Sequence, residues 1–562
     1  MEWKERKHFN SLSEMMSHHI SEEEMNDQTV YSIPFLKEGA ELIQKGIKEG
    51  RKFYCFGDYD CDGVMATSIV DNLFRWLNYP IEIYIPRRFS DGYGLSEKLI
   101  DKVEPGSFII TVDNGIAAYT AIQKAKEKGC TVLLTDHHLA PKDKEKNLII
   151  PNADCVIDPC MWDGTSEELP YFHAFCGATV AFKLASMLID SEKYLSVLET
   201  LAGIATIADV MPLKRENRQI VIRTLDKLEK MQSTYGINCL IYALGLTHIT
   251  SEDVAFQIGP IINASGRMYD DGATRIFELV TSKKTDPVKE RIEDAIKTNE
   301  KRKEIQKKCI DEVLEMIKKK HMEQDFPMII YKEGIPEGII GIVAGRIAED
   351  FQTPCLVFSD TETEGVLKGS GRTYEDVHLK NLLDMEGSCF IGYGGHAGAA
   401  GMSISKENLS KLSSHLKRDI LKMGYKKISY HLYDMEIKPY EINSVLQELK
   451  RYEPFGEGNP KPVFKVSDFE INLNNGCYQI IGQRHLKFMG FYATAIKFNI
   501  TEEEIPDFKT FPLKWTMYGQ LGQNYYNGNC YNQVQLIDFS PSETREVPNL
   551  LSFLNKMGEE RY

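Results

Sequence analysis

A chain of 562 residues exceeds what one hydrophobic core organises, so several domains with clefts between them are expected. The apolar share of 42% and charged share of 27% belong to a soluble globular protein and exclude a disordered or membrane-embedded one. A net charge of −15 excludes a surface coated in basic patches, so any nucleic-acid contact must come from a local groove, and part of the acidity is available as metal ligands.

The first ten residues carry several charges and no apolar core, so they do not read as a secretion signal, and no run is apolar enough to span a bilayer. A cytoplasmic location with no membrane partner is expected. Twelve cysteines without CxxC spacing point to reduced thiols and not to a disulfide framework or zinc ribbon.

From residue 52 to 135, short β-rich runs (KFYCFG, IEIYIP, SFIITVD, TVLLTD) alternate with helical stretches at 64–77 and 117–128. Such alternation predicts a doubly wound parallel sheet covered by helices, with ligands gathered where the strands end. Helical signals then dominate over 177–320, closing in a charged segment at 286–321 whose Lys/Glu mixture predicts a long, solvated connecting helix. A second, smaller α/β unit is expected over 326–408, with strands at MIIYKE and CLVFSD and the glycine-rich segments GSGR and GYGGHAGAAG. After Met423 the short β-like pieces YHLYDMEI, PVFKVSDFEI, FPLKWTMYGQL and CYNQVQLIDF suit a small antiparallel barrel. The domain boundaries that follow are 1–215, 216–322, 323–425 and 426–562.

The polar signal sits at the expected strand ends. GDYDCDG places Asp58, Asp60 and Asp62 at a strand-to-helix turn, where close carboxylates repel unless a hard divalent cation lies between them. Alone, the cluster would read as an acidic loop with a helix-capping aspartate. SFIITVD, however, ends at Asp113, TVLLTD at Asp136 followed by His137 and His138, and the helical segment LAGIATIAD at Asp209. Strand ends of a doubly wound sheet converge, so these groups can share a pair of metals that activate water and neutralise a phosphate under attack. Cys61, between two of these aspartates, is expected to face the fold interior, since hard ions select against thiolate.

GDYDCDG, TVDNGI, TDHH and IADVMPL resemble the four successive motifs of the DHH phosphoesterase superfamily, and TDHH holds the triplet that names it. The resemblance implies Asp60, Asp62, Asp113, His137 and Asp209 as ligands of two Mn2+ or Mg2+ ions. Asp58 becomes an accessory carboxylate, Asp136 orients a histidine, and His138 faces the scissile phosphate. Phe56 departs from the pattern, standing where many members carry a further histidine ligand.

Beyond these motifs, PRRFSDGYG, FCGATVAFKL, GPIINASGRM, GIIGIVAGRIAE, GSGR and GYGGHAGAAG are similar, in order, to segments of the RecJ exonucleases. That similarity implies Arg88 as the contact to the 5′ phosphate, Asn263 and Arg267 as strand contacts, and Ser370, Gly371, Arg372, Gly394, Gly395 and His396 as the phosphate-binding face. Arg372 with His138 would stabilise the developing charge. EGIPE (333–337) replaces a Trp-His pair usual in RecJ proteins around Ile335 and Pro336. YEPFGEGNPKPVF and GQRHLKF are similar to the RecJ oligonucleotide-binding barrel, where Tyr478, Lys487 and Phe488 are candidate surface contacts.

The function implied is metal-dependent 5′-to-3′ hydrolysis of single-stranded DNA to mononucleotides, in repair and recombination, beside a helicase or single-strand-binding protein. Two alternatives stand against it. A DHH phosphodiesterase for short oligonucleotides or cyclic dinucleotides normally lacks the barrel. A catalytically silent binding subunit of the replication machinery would have lost metal ligands that this chain keeps.

Overall fold

The computed structural model describes residues 2–92, 94–143, 147–161, 172–375, 377–428, 430–472, 478–482, 485–498, 500, 505, 514–526 and 529–542. Two compact units result. One gathers residues 29–211 and 219–428, the other residues 1–28, 212–218 and 429–562.

The larger unit opens with a five-stranded, fully parallel sheet in the order Ile81–Tyr84, Phe53–Phe56, Phe108–Thr111, Thr131–Thr135, Cys155–Ile157. All four residues of Phe53–Phe56 and of Phe108–Thr111 are buried, as strands covered on both faces must be. The chain leaves Phe53–Phe56 for an outer strand on one side and returns to Phe108–Thr111 on the other. The crevice where strand order reverses therefore lies at the ends of these two strands. The helix Cys61–Trp76 begins at this crevice, and helices Gly177–Ser186 and Glu192–Ala208 pack on it.

The expected helical region follows, closing in the 33-residue helix Val288–Lys320. It is not solvated all round: Ile292, Ala295, Cys309, Val313 and Ile317 are buried at helical spacing, with Asn299 and Arg302 on the same stripe. The abundance of Lys and Glu on its other face masks this stripe in the sequence.

The second α/β portion carries a mixed sheet ordered Phe390–Gly395, Ala399–Ser405, Val366–Arg372, Cys355–Asp360, Met328–Tyr331. GSGR and most of GYGGHAGAAG thus lie on paired strands: Ala400 faces Gly371 and Ala399 faces Arg372 across the ladder. Missing side chains on Gly369 and Gly371 leave room for Phe358 and Leu379, which a Cβ would meet at 2.5 and 2.8 Å.

In the smaller unit, seven strands run in the order Met435–Ile437, Val463–Glu470, Lys514–Tyr526, Asn529–Pro541, Thr494–Lys497, His485–Met489, Tyr478–Ile481. The sheet is mixed: Met435–Ile437 runs parallel to Val463–Glu470, and Thr494–Lys497 parallel to Asn529–Pro541. The N-terminal strand Glu2–Glu5 pairs in parallel with Tyr430–Tyr433, and Leu12, Met15 and Met16 enter the barrel's core, which is why residues 1–28 group with it. Arg218 is buried in this unit, its guanidinium donating to the carbonyls of Glu453 and Pro454.

Candidate metal centre and phosphate face

Local structure explains how the acidic side chains converge. Asp58 follows the strand that Phe56 ends. Asp60 caps the helix Cys61–Trp76, its Oδ1 accepting from Gly63 N at 3.1 Å, so capping and clustering coexist. Asp62 sits in that helix's first turn. Asp113 adopts φ 60°, a left-handed conformation costly for a non-glycine residue and concentrated at functional sites. Asp209 closes the helix Glu192–Ala208.

These elements bring together three overlapping groups: Asp58, Asp60 and Asp113; Asp62, His137 and Asp209; Asp113, His137 and His138. Within each group the ligand atoms lie within 4.8 Å of one another. His137 Nε2 faces Asp113 Oδ1 at 3.1 Å, Asp62 Oδ2 at 3.5 Å and Asp209 Oδ2 at 3.7 Å. Burial pushes the His137 imidazole below its ordinary pKa, toward the neutral form whose lone pair binds metal. Burial, and then the charges of neighbouring carboxylates, push Asp58, Asp113 and Asp209 well above the carboxylate range. Asp58 Oδ1, Asp113 Oδ1 and Asp209 Oδ2 are buried without an aligned hydrogen-bond partner. Oxygen and imidazole donors crowded this closely, with orphaned lone pairs aimed inward, fit hard divalent cations.

Two supporting groups hold the cluster. Asp136 accepts from His138 Nδ1 at 2.7 Å and from Ile116 N at 2.9 Å. Burial would raise the Asp136 pKa, but the hydrogen bond and charge of His138 outweigh it and leave it lowered. The same contact counters the burial of His138 and pushes its imidazole up to about 9. Asp62 receives Gly177 N at 2.6 Å and Ala178 N at 2.7 Å, the first two amides of the helix Gly177–Ser186. A Cβ on Gly177 would lie 2.6 Å from Asp113 Cβ, so the glycine lets this helix end reach the carboxylates. Nothing in the segment FCGATVAFKL assigns Gly177 or Ala178 this role from sequence.

Asp158 is a further buried carboxylate, absent from the four DHH-like motifs. It follows the fifth strand, is fully buried with Oδ2 unpartnered, and burial followed by the charge of Asp136 pushes it to about 7. CVID ends a strand in aspartate as SFIITVD and TVLLTD do, which is the available signal. Cys61 is buried and its amide donates to Asn263 Oδ1 at 2.8 Å. Phe56 stacks on Tyr84 with centroids 5.3 Å apart, a core ring where a further ligand would need an imidazole.

The candidate phosphate face is basic and glycine-lined. Arg372 Nη1 donates to Ser370 Oγ at 3.0 Å and to Gly371 O at 2.8 Å. Gly341 makes room for it: a Cβ there would meet Arg372 Nη2 at 2.9 Å. Burial, then the charges of Arg88 and Arg372, lower Arg267 to about 10, and Arg267 Nη1 is held by Gly338 O at 3.2 Å. Arg88 stacks over Tyr59 at 4.7 Å, and its Nε is buried without a partner. Asn263 and Arg267 line a cavity of about 140 Å³ with Arg302, a further buried arginine with no signal in the sequence. Burial lowers His396, as do the charges of Arg372 and His138. Gly394 has open space where a Cβ would stand, whereas Gly395, at φ 151°, would put one 2.3 Å from Ala399 O. In the EGIPE segment Ile335 is buried and its amide donates to Ser359 Oγ at 3.0 Å, so it serves packing.

In the barrel, Phe488 corrects its expected role: it is wholly buried between Trp515 and Phe539. Tyr478 is half-buried against the same core, and Lys487 is half-exposed.

Family comparisons agree with this layout. The DHH family N-terminal domain matches residues 52–208, the DHHA1 domain 325–422 and the RecJ OB domain 433–538. Fold and cluster therefore define a DHH-family protein. The single-stranded-DNA-specific exonuclease RecJ of Bacillus subtilis is 31% identical over 440 residues, which are 76% of this chain and 53% of that protein. The exonuclease of the same name from Haemophilus influenzae is 27% identical, covering 92% of this chain and 91% of its own length. RecJ of Thermus thermophilus, solved in complex with Mn2+, superposes with a TM-score of 0.75 at 23% identity, over 95% of this chain and 76% of that one. With this domain order and these relatives, the chain belongs to the RecJ family. No helix among the described residues is long and apolar enough to cross a membrane.

Proposed function

We propose that this protein is a metal-dependent exonuclease that removes mononucleotides from the 5′ end of single-stranded DNA. The observation that carries the reading is His137 Nε2 set 3.1 to 3.7 Å from three carboxylate oxygens, two of which, Asp113 Oδ1 and Asp209 Oδ2, are buried without an aligned hydrogen-bond partner, a crowding of donor atoms that bound cations would relieve. The name shared by the relatives and the RecJ OB domain at 433–538 favour a long single strand over a cyclic dinucleotide.

Asp60, Asp62, Asp113, His137 and Asp209 hold the ions, with Asp58 accessory. When bound, a pair of Mn2+ or Mg2+ ions supplies Lewis acidity at the phosphate and an activated water. Asp136 keeps His138 protonated, and His138 and Arg372 donate to oxygens on which charge develops. Arg88 anchors the 5′ phosphate, while Asn263, Arg267, Ser370, Gly371, Gly394, Gly395 and His396 form the strand face. Such a substrate calls for a helicase that frees 5′ ends and a single-strand-binding protein, in the cytoplasm, as partners.

The test incubates the protein and Mn2+ with DNA labelled at either end, a matching RNA and a cyclic dinucleotide. Mononucleotide released from the 5′ DNA label is the expected result. Cleavage of the dinucleotide alone, or of nothing, overturns it.

A further inference from the structure

A second cluster of metal-ligating side chains, sharing no residue with the carboxylate centre, lies within residues 386–415. Glu386 precedes the single 3-10 turn Gly387–Cys389, and residues three apart in such a turn eclipse, so Glu386 and Cys389 project together. His415 meets them from the helix Leu409–Lys422. Glu386 Oε2 lies 2.8 Å from His415 Nδ1 and 3.6 Å from Cys389 Sγ, and the three ligand atoms fall within 4.8 Å of one another.

We propose that Glu386, Cys389 and His415 bind a Zn2+ ion. Thiolate, imidazole and carboxylate form the mixed donor set that a borderline-soft ion takes and that Mg2+ and Mn2+ do not prefer. Tetrahedral ligands at about 2.0 to 2.3 Å from zinc stand roughly 3.3 to 3.7 Å apart, so the sulfur already fits and the imidazole must retreat by about half an ångström. The carboxylate divides its labour: Oε2 faces the histidine and cysteine, while Oε1 is held 3.3 Å from Arg418 Nη2, which fixes its orientation as the outer partners of metal ligands do. Cys389 is buried and the His415 side chain is 29% exposed, leaving the fourth corner open to water. Binding expels the thiol proton and the proton between Nδ1 and Oε2 to solvent, so uptake releases protons. The ion ties Leu409–Lys422 to the turn that launches the strand Phe390–Gly395, which leads directly to His396.

The full-length protein, stripped by chelator and reloaded with Zn2+ or Co2+, provides the test. One zinc per chain should remain beyond the carboxylate site, and Co2+ should give a thiolate-to-cobalt charge-transfer band, which oxygen and imidazole ligands cannot produce. Cys389→Ser should abolish the band and lower the zinc content by one per chain, and His415→Ala should weaken retention, each with a reduced zinc-dependent rise in Tm. A wild-type protein without the band, or a band unchanged in Cys389→Ser, overturns the assignment.

Discussion

The carboxylate centre and the phosphate face occupy one compact unit, yet they are built in opposite ways. The first gathers buried carboxylates, three of which keep an oxygen without an aligned partner, and burial with mutual repulsion pushes the pKa values of Asp58, Asp113 and Asp209 up. The second gathers cations, Arg267 lowered to about 10 by burial and by its arginine neighbours, around backbone left bare by glycine. Each region is unfavourable alone, and under the proposed function a metal-bound phosphodiester would complete both, its cations offsetting the first and its phosphate the second. Stability sacrificed at a site in this manner is a sign of ligand binding.

Removing an anion should show the contrast most strongly. Asp113→Ala is expected to cut cleavage by more than about a thousandfold while the metal-free protein keeps or raises its Tm, because a repelling buried carboxylate is gone. Conversely, Mn2+ should raise Tm less in the variant than in the wild type. A metal-free Tm that drops sharply would mean that Asp113 is a structural residue, and calorimetry with and without Mn2+ decides.

The two regions also differ in how legible they are in the sequence. Asp58, Asp60, Asp62, Asp113 and His137 can be placed together because a β-rich run followed by a charged residue marks a strand end and parallel strand ends must converge, whereas Asp209 ends a helix and joins them only through the DHH resemblance. Strand order, with the reversal falling between Phe53–Phe56 and Phe108–Thr111, comes only from the structure. On the candidate phosphate face, Arg372 and His396 are found by resemblance, since the glycine-rich segments GSGR and GYGGHAGAAG carry no strand pattern and yet lie largely on strands paired to one another. Gly177, Gly341 and Arg302 escape notice, because a helix amide, an absent Cβ or a buried arginine on a charged helix leaves no pattern in one sequence. Phe488 is misjudged for a similar reason: inward and outward positions of a short strand alternate, and register alone decides between them.

On the cationic side, Arg372→Ala should lower cleavage by about a hundred- to a thousandfold, the range for losing a donor to developing charge. Arg372→Lys should recover only part, because a point charge cannot reproduce the planar fork. Equal losses in kcat and kcat/KM would place its contribution in the transition state; a rise in KM alone would make it a strand-binding residue.

Gly177→Ala probes the seam between anion and helix amide. Its Cβ would crowd Asp113 at 2.6 Å and push the Gly177 and Ala178 amides off Asp62, so metal affinity should fall by about ten- to a hundredfold. Unchanged Mn2+ titrations would show that the amides are dispensable. Asp136→Asn should lower the His138 pKa from about 9, measured by NMR titration of metal-free protein. The sign follows from both shifts: the raised His138 value makes the stabilisation full below about 6.5 and lost as pH rises through about 9, and the lowered Asp136 value makes it full above about 3.8 and lost at more acid pH, so the variant should lose most stability between about pH 4 and 6.5.

Gly394 and Gly395 give the finest discrimination. Gly395→Ala forces a β-carbon against Ala399 O at φ 151°, which should destabilise the domain by about 2 kcal/mol or more whatever the ligand. Gly394→Ala meets nothing within 4 Å and should leave Tm unchanged. If the strand runs across this hairpin, Gly394→Ala alone should raise KM for single-stranded DNA several-fold, since a phosphate must then approach a methyl group instead of bare backbone. Should both variants change only Tm, or Gly394→Ala change nothing, the glycines serve the packing of the hairpin, and the phosphate face contracts to Ser370, Arg372 and the arginines around Arg267.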